Sequence, residues 1–261
     1  MTSPSQSYLQ RFSLAGQVAL VTGSARGLGL CIARAMAGSG AHVLINGRNA
    51  GAVRAAVEQL RGQGLVASAL AFDVSDDDAT ARAFAQVDAE HGRLDILVNN
   101  VGARNRKTLQ AISAAEIRAL IETDLVAGML LAKQAAERMV RQRAGRLIAI
   151  TSVAGELARA GDAVYPAAKQ GLTGMVRALA AELGPLGITS NAIAPGTFAT
   201  ETNAEMVTDA AVRERLAARN PMGRWGDPEE IAGAAVFLAS PAASYINGQV
   251  LAVDGGLSIL F

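Results

Sequence analysis

The sequence predicts an α/β fold, a single domain built on a doubly wound, seven-stranded parallel sheet with helices on both faces. Three observations predict it. Seven short runs rich in β-branched and aliphatic residues alternate with Ala- and Leu-rich segments of helical period. A glycine-rich turn joins the first run to the first helical segment. No stretch rich in Pro, Ser and Gly interrupts the apolar pattern after Leu14, so the 261 residues read as one domain rather than two.

Taken in order, strands are expected at 18–21, 42–45, 66–72, 96–99, 146–151, 188–193 and 250–253. Helices are expected at 28–37, 50–61, 77–91, 114–142, 163–183 and 228–239. Such alternation implies a parallel sheet covered on both sides, and right-handed crossovers put its ligand crevice beyond the carboxyl ends of the strands. Ser75 followed by Asp76, Asp77 and Asp78 is a helix start, with acids at the positive end of the dipole. Asp227, Pro228 and two glutamates repeat that signature. Residues 197–225 fit neither period and are expected to form a lid over the substrate. Residues 1–13 are polar and are expected to be a flexible N-terminal tail ahead of the domain at 14–261.

Composition narrows the function. With 51% hydrophobic and 18% charged residues the chain buries a core, and a net charge of +1 without a basic tract argues against nucleic acid. The tail lacks a basic patch followed by an apolar run, and the apolar stretch near 174–183 is interrupted by Arg177 and Glu182, so no membrane association is expected. A lone Cys31 inside an apolar helical pattern reads as a buried structural thiol and fits a reducing cytoplasm. His42 and His91 lack ligand-spaced partners, so both read as structural and no metal site is expected.

The first strand runs into Thr22-Gly23-Ser24-Ala25-Arg26-Gly27-Leu28-Gly29. Glycines there permit a tight turn and bring backbone amides to a pyrophosphate at a helix N-terminus. Alone the spacing marks no more than a turn; opening the first strand-to-helix connection, it marks a dinucleotide site. An acid at the end of the second strand would accept from the ribose 2′-hydroxyl of NAD, but Asn46-Gly47-Arg48 stands there instead. With Arg26 on the glycine turn, two guanidinium groups flank a 2′-phosphate, so NADP(H) is expected over NAD(H). As ordinary surface arginines, the two would leave NAD(H) possible. Asp73-Val74 ends the third strand, where Asp73 serves either the adenine or a local turn before Ser75. Asn99-Asn100-Val101-Gly102 follows the fourth, its asparagines pinning a loop and its glycine leaving room for a ligand.

Ser152 lies at the end of the fifth strand, and after Asp162 a helix opens with Tyr165-Pro166-Ala167-Ala168-Lys169. Tyr165 and Lys169 are one turn apart on one face, and Pro166 costs little within the first turn. A phenol titrating near 10 is a poor base at neutral pH unless a cation stabilises its anion, which Lys169 supplies. Ser152 then holds the substrate oxygen while Tyr165 moves the proton and a nicotinamide carries the hydride.

Together the glycine turn, Asn99 to Gly102, Ser152, Tyr165-x-x-x-Lys169 and Pro195-Gly196 resemble the short-chain dehydrogenase/reductase family over nearly the whole chain. The resemblance implies a Rossmann-type subunit, a homotetramer or homodimer, and Ser, Tyr and Lys as catalysts of hydride transfer on a small carbonyl or alcohol. It also implies that the cofactor meets Pro195, Gly196, the backbone near Phe198 and the Thr200 hydroxyl. Many members carry an asparagine in the helix after the fourth strand; this sequence offers Asp124. An ionised Asp accepts hydrogen bonds but donates none, so Asp124 is expected to hold a relay water toward Lys169.

Within the family, Glu156-Leu157-Ala158-Arg159, the run from Arg224 to Glu230 and that from Ser244 to Gln249 resemble gluconate 5-dehydrogenases. The 3-oxoacyl-carrier-protein reductases share most of these features, so both remain open. Glu156, Arg159 and Arg104 are the candidate substrate residues; Arg104, with Arg106 and Lys107, offers cations to a carboxylate or phosphate. Trp225 reads as packing. A reading of another class is an NADP-binding sensor or scaffold without turnover, with Asp124 a mark of decay.

Overall fold

The computed structural model describes residues 8–157 and 160–260. All seven expected strands form: β1 Val18–Val21, β2 His42–Gly47, β3 Ala67–Ala71, β4 Ile96–Asn99, β5 Gly145–Ile150, β6 Ile188–Pro195 and β7 Val250–Val253. They pair in parallel in the order β3-β2-β1-β4-β5-β6-β7. The chain winds outward from β1 to β3, returns to the middle for β4 and winds out the other way. The topological switch therefore lies between β1 and β4, where Val21 pairs with Val98 and both strands end toward one crevice.

The helices are α1 Gly27–Gly38, α2 Ala50–Gly62, α3 Asp77–His91, α4 Ala114–Ile121, α5 Ala127–Gln142, α6 Val164–Leu183, α7 Ala204–Thr208, α8 Ala210–Ala218 and α9 Ala232–Ala239. Alternate residues of each strand go to opposite faces, which is why the strands read as continuous apolar runs. Val21, Ile45, Val98 and Ile193 pack with Ile32, Met36, Val53, Leu60 and Leu238 of α1, α2 and α9. Leu20, Leu44, Leu97 and Leu147 pack with Phe84, Val87, Leu131 and Met139 of α3 and α5. Asp76 caps α3 by accepting the Ala79 N–H at 2.8 Å, with Asp77 and Asp78 in the first turn.

Three features depart from the expected elements. The helix expected over 114–142 is broken by a π-helical turn, Glu122–Val126, which rotates Asp124 into the protein. The expected lid, 197–225, holds the two short helices α7 and α8. Of the expected tail, Phe12 is held on the domain: it stacks on Phe237 of α9 at 6.2 Å and meets the exposed Tyr8 edge-on at 6.3 Å. Among the described residues no helix is long and apolar enough to cross a membrane.

Candidate active site

The glycine turn is held from three sides. Gly23 and Gly27 take left-handed backbone, at φ 60° and 57°, which closes the turn without a side-chain penalty. A Cβ on Gly29 would lie 2.5 Å from the Gly23 carbonyl oxygen, so α1 packs directly on the turn. Asn100 donates through Nδ2 to the carbonyls of Thr22 at 3.0 Å and Gly23 at 3.2 Å, and Thr22 Oγ1 accepts the Asn100 N–H at 2.9 Å. Asn99 Oδ1 accepts from the Thr22 hydroxyl at 3.4 Å, so both asparagines pin the loop as expected. Arg26, the N-cap of α1, makes no side-chain cap bond. The amides opening α1, at Gly27, Leu28 and Gly29, are thus left for an anion, and the cradle fits the pyrophosphate of a dinucleotide.

At two of the expected cofactor positions the side chains turn inward. Ser24 is fully buried: Oγ donates to the Val21 carbonyl at 2.6 Å and accepts the Asn46 N–H at 3.0 Å. Asn46 is 1% exposed; Oδ1 accepts the Gly23 N–H at 3.1 Å, and Nδ2 donates to the Leu70 and Phe72 carbonyls at 3.1 Å each. Their side chains brace the turn from behind, with every side-chain hydrogen given to a backbone carbonyl. Asp73 Oδ1 accepts the Ser75 N–H at 3.0 Å, the local turn role, while Oδ2 lies 3.8 Å from Arg48. Val74 is buried in the core cluster of Phe72 and Phe84. Arg26 is exposed, and the Arg48 side chain is 81% exposed with only a long, solvent-facing ion pair to Asp73, so both can turn toward a ligand.

On the other side of the crevice, Pro195 ends β6. A Cβ on Gly196 would meet Asp254 at 2.7 Å, so only glycine lets this turn pack on the loop after β7. Phe198 buries its ring against Gly226, leaving backbone rather than side chain for a ligand. The Thr200 hydroxyl accepts from Asn203 Nδ2 at 3.3 Å and stays half-buried.

Ser152, Tyr165 and Lys169, the candidate reacting groups, lie where β4, β5 and α6 converge. Ser152 Oγ accepts the Ala154 N–H at 3.1 Å, which fixes the hydroxyl beside the start of α6. Lys169 is 3% exposed; Nζ donates to the Ile150 carbonyl at 3.2 Å and lies 5.6 Å from the Tyr165 ring centre. A Cβ on Gly102 would stand 2.9 Å from Nζ, so the glycine clears space for the ammonium. Asp124, 1% exposed, accepts the Ala103 N–H through Oδ1 at 2.5 Å, while Oδ2 is buried without a partner. An orphaned buried acceptor is where a bound water fits.

Burial dominates the electrostatics. It pushes the Tyr165 phenol above its ordinary 10, against hydrogen bonding to Ser152 and the Arg104 charge, with Asp124 and Asp162 adding to the rise. Burial pushes the Lys169 ammonium below 10.5, and the Asp124 charge resists that fall. The Asp124 carboxyl is raised by burial and held back by Lys169 and the Ala103 N–H.

Of the candidate substrate residues, Arg104 is at the centre. Its guanidinium carbon stands 4.6 Å from the Tyr165 ring centre, and Nε donates to Asp162 Oδ2 at 2.7 Å. The partnership with Asp162 joins positions 58 residues apart and has no signal in the sequence. Lys107 is taken up by Glu116 at 2.6 Å, and that ammonium above all holds the Glu116 carboxyl down to about 2. Glu156 is exposed on the turn after Ser152, and Arg159 lies outside the described residues.

A crevice at the switch point that fits a dinucleotide, with Ser, Tyr and Lys beside it, defines a nicotinamide-dependent oxidoreductase. A family model described as enoyl-(acyl carrier protein) reductase matches residues 23–258. The chain belongs to this family of short-chain dehydrogenases/reductases. It is 42% identical to gluconate 5-dehydrogenase of Gluconobacter oxydans (strain 621H), covering 95% of this chain and 97% of that one. It is 38% identical to the 3-oxoacyl-[acyl-carrier-protein] reductase of Synechocystis sp., covering 94% and 98%. Among solved structures it superposes on a gluconate 5-dehydrogenase from Burkholderia cenocepacia J2315 in complex with NADP and tartrate, at 40% identity and a TM-score of 0.93, covering 97% and 100%.

Proposed function

We propose that the protein interconverts a secondary alcohol and a ketone on a sugar acid, of the gluconate and 5-ketogluconate kind, with NADP(H). The observation that carries this is the Arg104 guanidinium over the Tyr165 ring, a cation placed beside the reacting phenol where an acidic substrate would enter. The gluconate 5-dehydrogenase likeness and the hydroxy acid bound to the Burkholderia relative support the same class. An acyl thioester brings no carboxylate for Arg104, which favours the sugar acid over the acyl-carrier-protein reading.

When bound, the nicotinamide supplies or accepts the hydride. Ser152 holds the substrate oxygen, and Tyr165 gives its proton to the carbonyl in reduction or takes it from the hydroxyl in oxidation. Lys169 and Arg104 stabilise the phenolate, and a water on Asp124 Oδ2 refills the proton through Lys169. The exposed Arg26 and Arg48, with no acid ending β2, select the 2′-phosphate of NADP. Gly23, Gly27, Leu28, Gly29, Asn99, Val101, Gly102, Pro195, Gly196, Phe198 and Thr200 line the cofactor crevice, and 197–225 closes over the substrate. The subunit works in the cytoplasm as a homotetramer or homodimer, for which β7 offers an edge with Leu251 exposed and Ile259 beyond it.

The test is a panel of gluconate, neutral polyols, simple alcohols and 3-hydroxyacyl thioesters with NADP, followed by absorbance of the reduced cofactor. Gluconate is expected to give the highest kcat/KM; a thioester exceeding it tenfold overturns the assignment. Binding of NADP with turnover of none of them favours a sensor.

A further inference from the structure

Asp162 has no role in the chemistry above, yet it is 3% exposed and sits three residues before Tyr165. Its Oδ2 accepts from both Nε and Nη2 of Arg104, whose side chain is 27% exposed. Its Oδ1 is buried with no partner. A buried carboxylate with one oxygen unmet is a poor choice for stability alone, because its desolvation is only half answered. What the pair does accomplish is geometric. It pins the Nε edge of the fork, holds the guanidinium carbon 4.6 Å from the centre of the phenol ring, and leaves Nη1 without a hydrogen bond among the described residues.

We infer that Asp162 is a positioning residue for substrate charge: by clamping one edge of Arg104 over Tyr165, it aims the free edge at an anionic group of the substrate. The inference rests on the sugar-acid reading and adds the residue that enforces it. A long side chain on a loop after β4 samples many rotamers, and an unclamped arginine there would meet a carboxylate only after ordering itself. The clamp settles that ordering before binding, so its loss appears in KM for an acid rather than in the hydride step.

The full chain is assayed with NADP on gluconate and on glucitol, which share a hydroxyl pattern and differ in the terminal carboxylate. Wild type is expected to show the lower KM for gluconate. D162N is expected to raise KM for gluconate about tenfold relative to KM for glucitol, R104A to do at least as much, and the double variant no more than R104A. An unchanged KM ratio in D162N, with R104A abolishing the preference, overturns the clamp and leaves the sugar-acid reading standing. Equal loss on both substrates overturns it in favour of a structural ion pair. No preference in wild type, unchanged by R104A, overturns the reading and the inference together. Should D162N fail to fold, R104K keeps the cation but not the fork: a collapsed ratio supports the clamp, and a retained ratio overturns it.

Discussion

Asn46 at the end of β2 accepts the Gly23 N–H at 3.1 Å, so the residue standing where an NAD-selecting acid is expected instead supports the glycine turn from behind. Both of its Nδ2 hydrogens go to backbone carbonyls. An Asn46→Asp exchange therefore deprives two carbonyls of donors and turns a carboxylate toward them, at a cost of about 2–4 kcal/mol. Urea unfolding is expected to show that loss, with no gain in NADH use. A stable variant that favours NADH contradicts this geometry.

Arg26 and Arg48 are exposed at the mouth of the crevice, Arg48 in a long ion pair with Asp73. Each charge-assisted bond to a 2′-phosphate is worth about 1.5–3 kcal/mol. R26A and R48A are each expected to lower kcat/KM for NADPH roughly tenfold or more while leaving NADH nearly unaffected. Parallel losses with both cofactors would remove the arginines from nucleotide selection.

Asp124 counters the fall that burial imposes on Lys169. Removing the carboxylate moves the ammonium further down, so the alkaline limb of the pH-rate profile shifts to lower pH in D124N while turnover near neutrality holds. D124A, which also loses the site for a relay water, is expected to drop kcat about tenfold or more. Full activity in D124A rules out the relay.

His42 and His91 pack edge to face at 4.6 Å, and His42 donates to or accepts from Ser68 Oγ at 2.8 Å. Burial first, then the charges of His91 and Arg61, lower His42 below its ordinary 6.5, against Glu90. The unfolded chain consequently takes up the proton first as pH falls. Stability from the neutral imidazole is complete above 6.5 and declines as pH drops through 6.5 toward the lower folded value. Thermal unfolding from pH 7.5 to 5 should show Tm falling, and H42Q should flatten the slope. An identical slope in H42Q assigns the acid sensitivity to other groups.

Local signals made much of this visible beforehand. The strands were legible because both faces are covered, and Tyr165 and Lys169 because one helical turn joins them. What was hidden is long-range or cryptic. The helical period runs unbroken from 114 to 142, so nothing marks the extra residue of the π turn that swings Asp124 inward. In α8, apolar and charged residues share every side, so the period that reveals other helices is missing. Ser24 reads like any phosphate-loop serine; only the crossing of β2 behind it shows that its hydroxyl points away. Arg104 and Asp162 meet only because the ends of β4 and β5 are neighbours in the sheet.

The proposed reaction depends on the Tyr165 phenol carrying the proton. Single-turnover reduction of 5-ketogluconate with NADPH, wild type against Tyr165→Phe, isolates it, since Phe keeps the ring under Arg104 and removes only the hydroxyl. The rate is expected to fall roughly 10²- to 10⁴-fold with NADPH affinity preserved. A variant reducing the ketone within threefold of the wild-type rate would contradict the account.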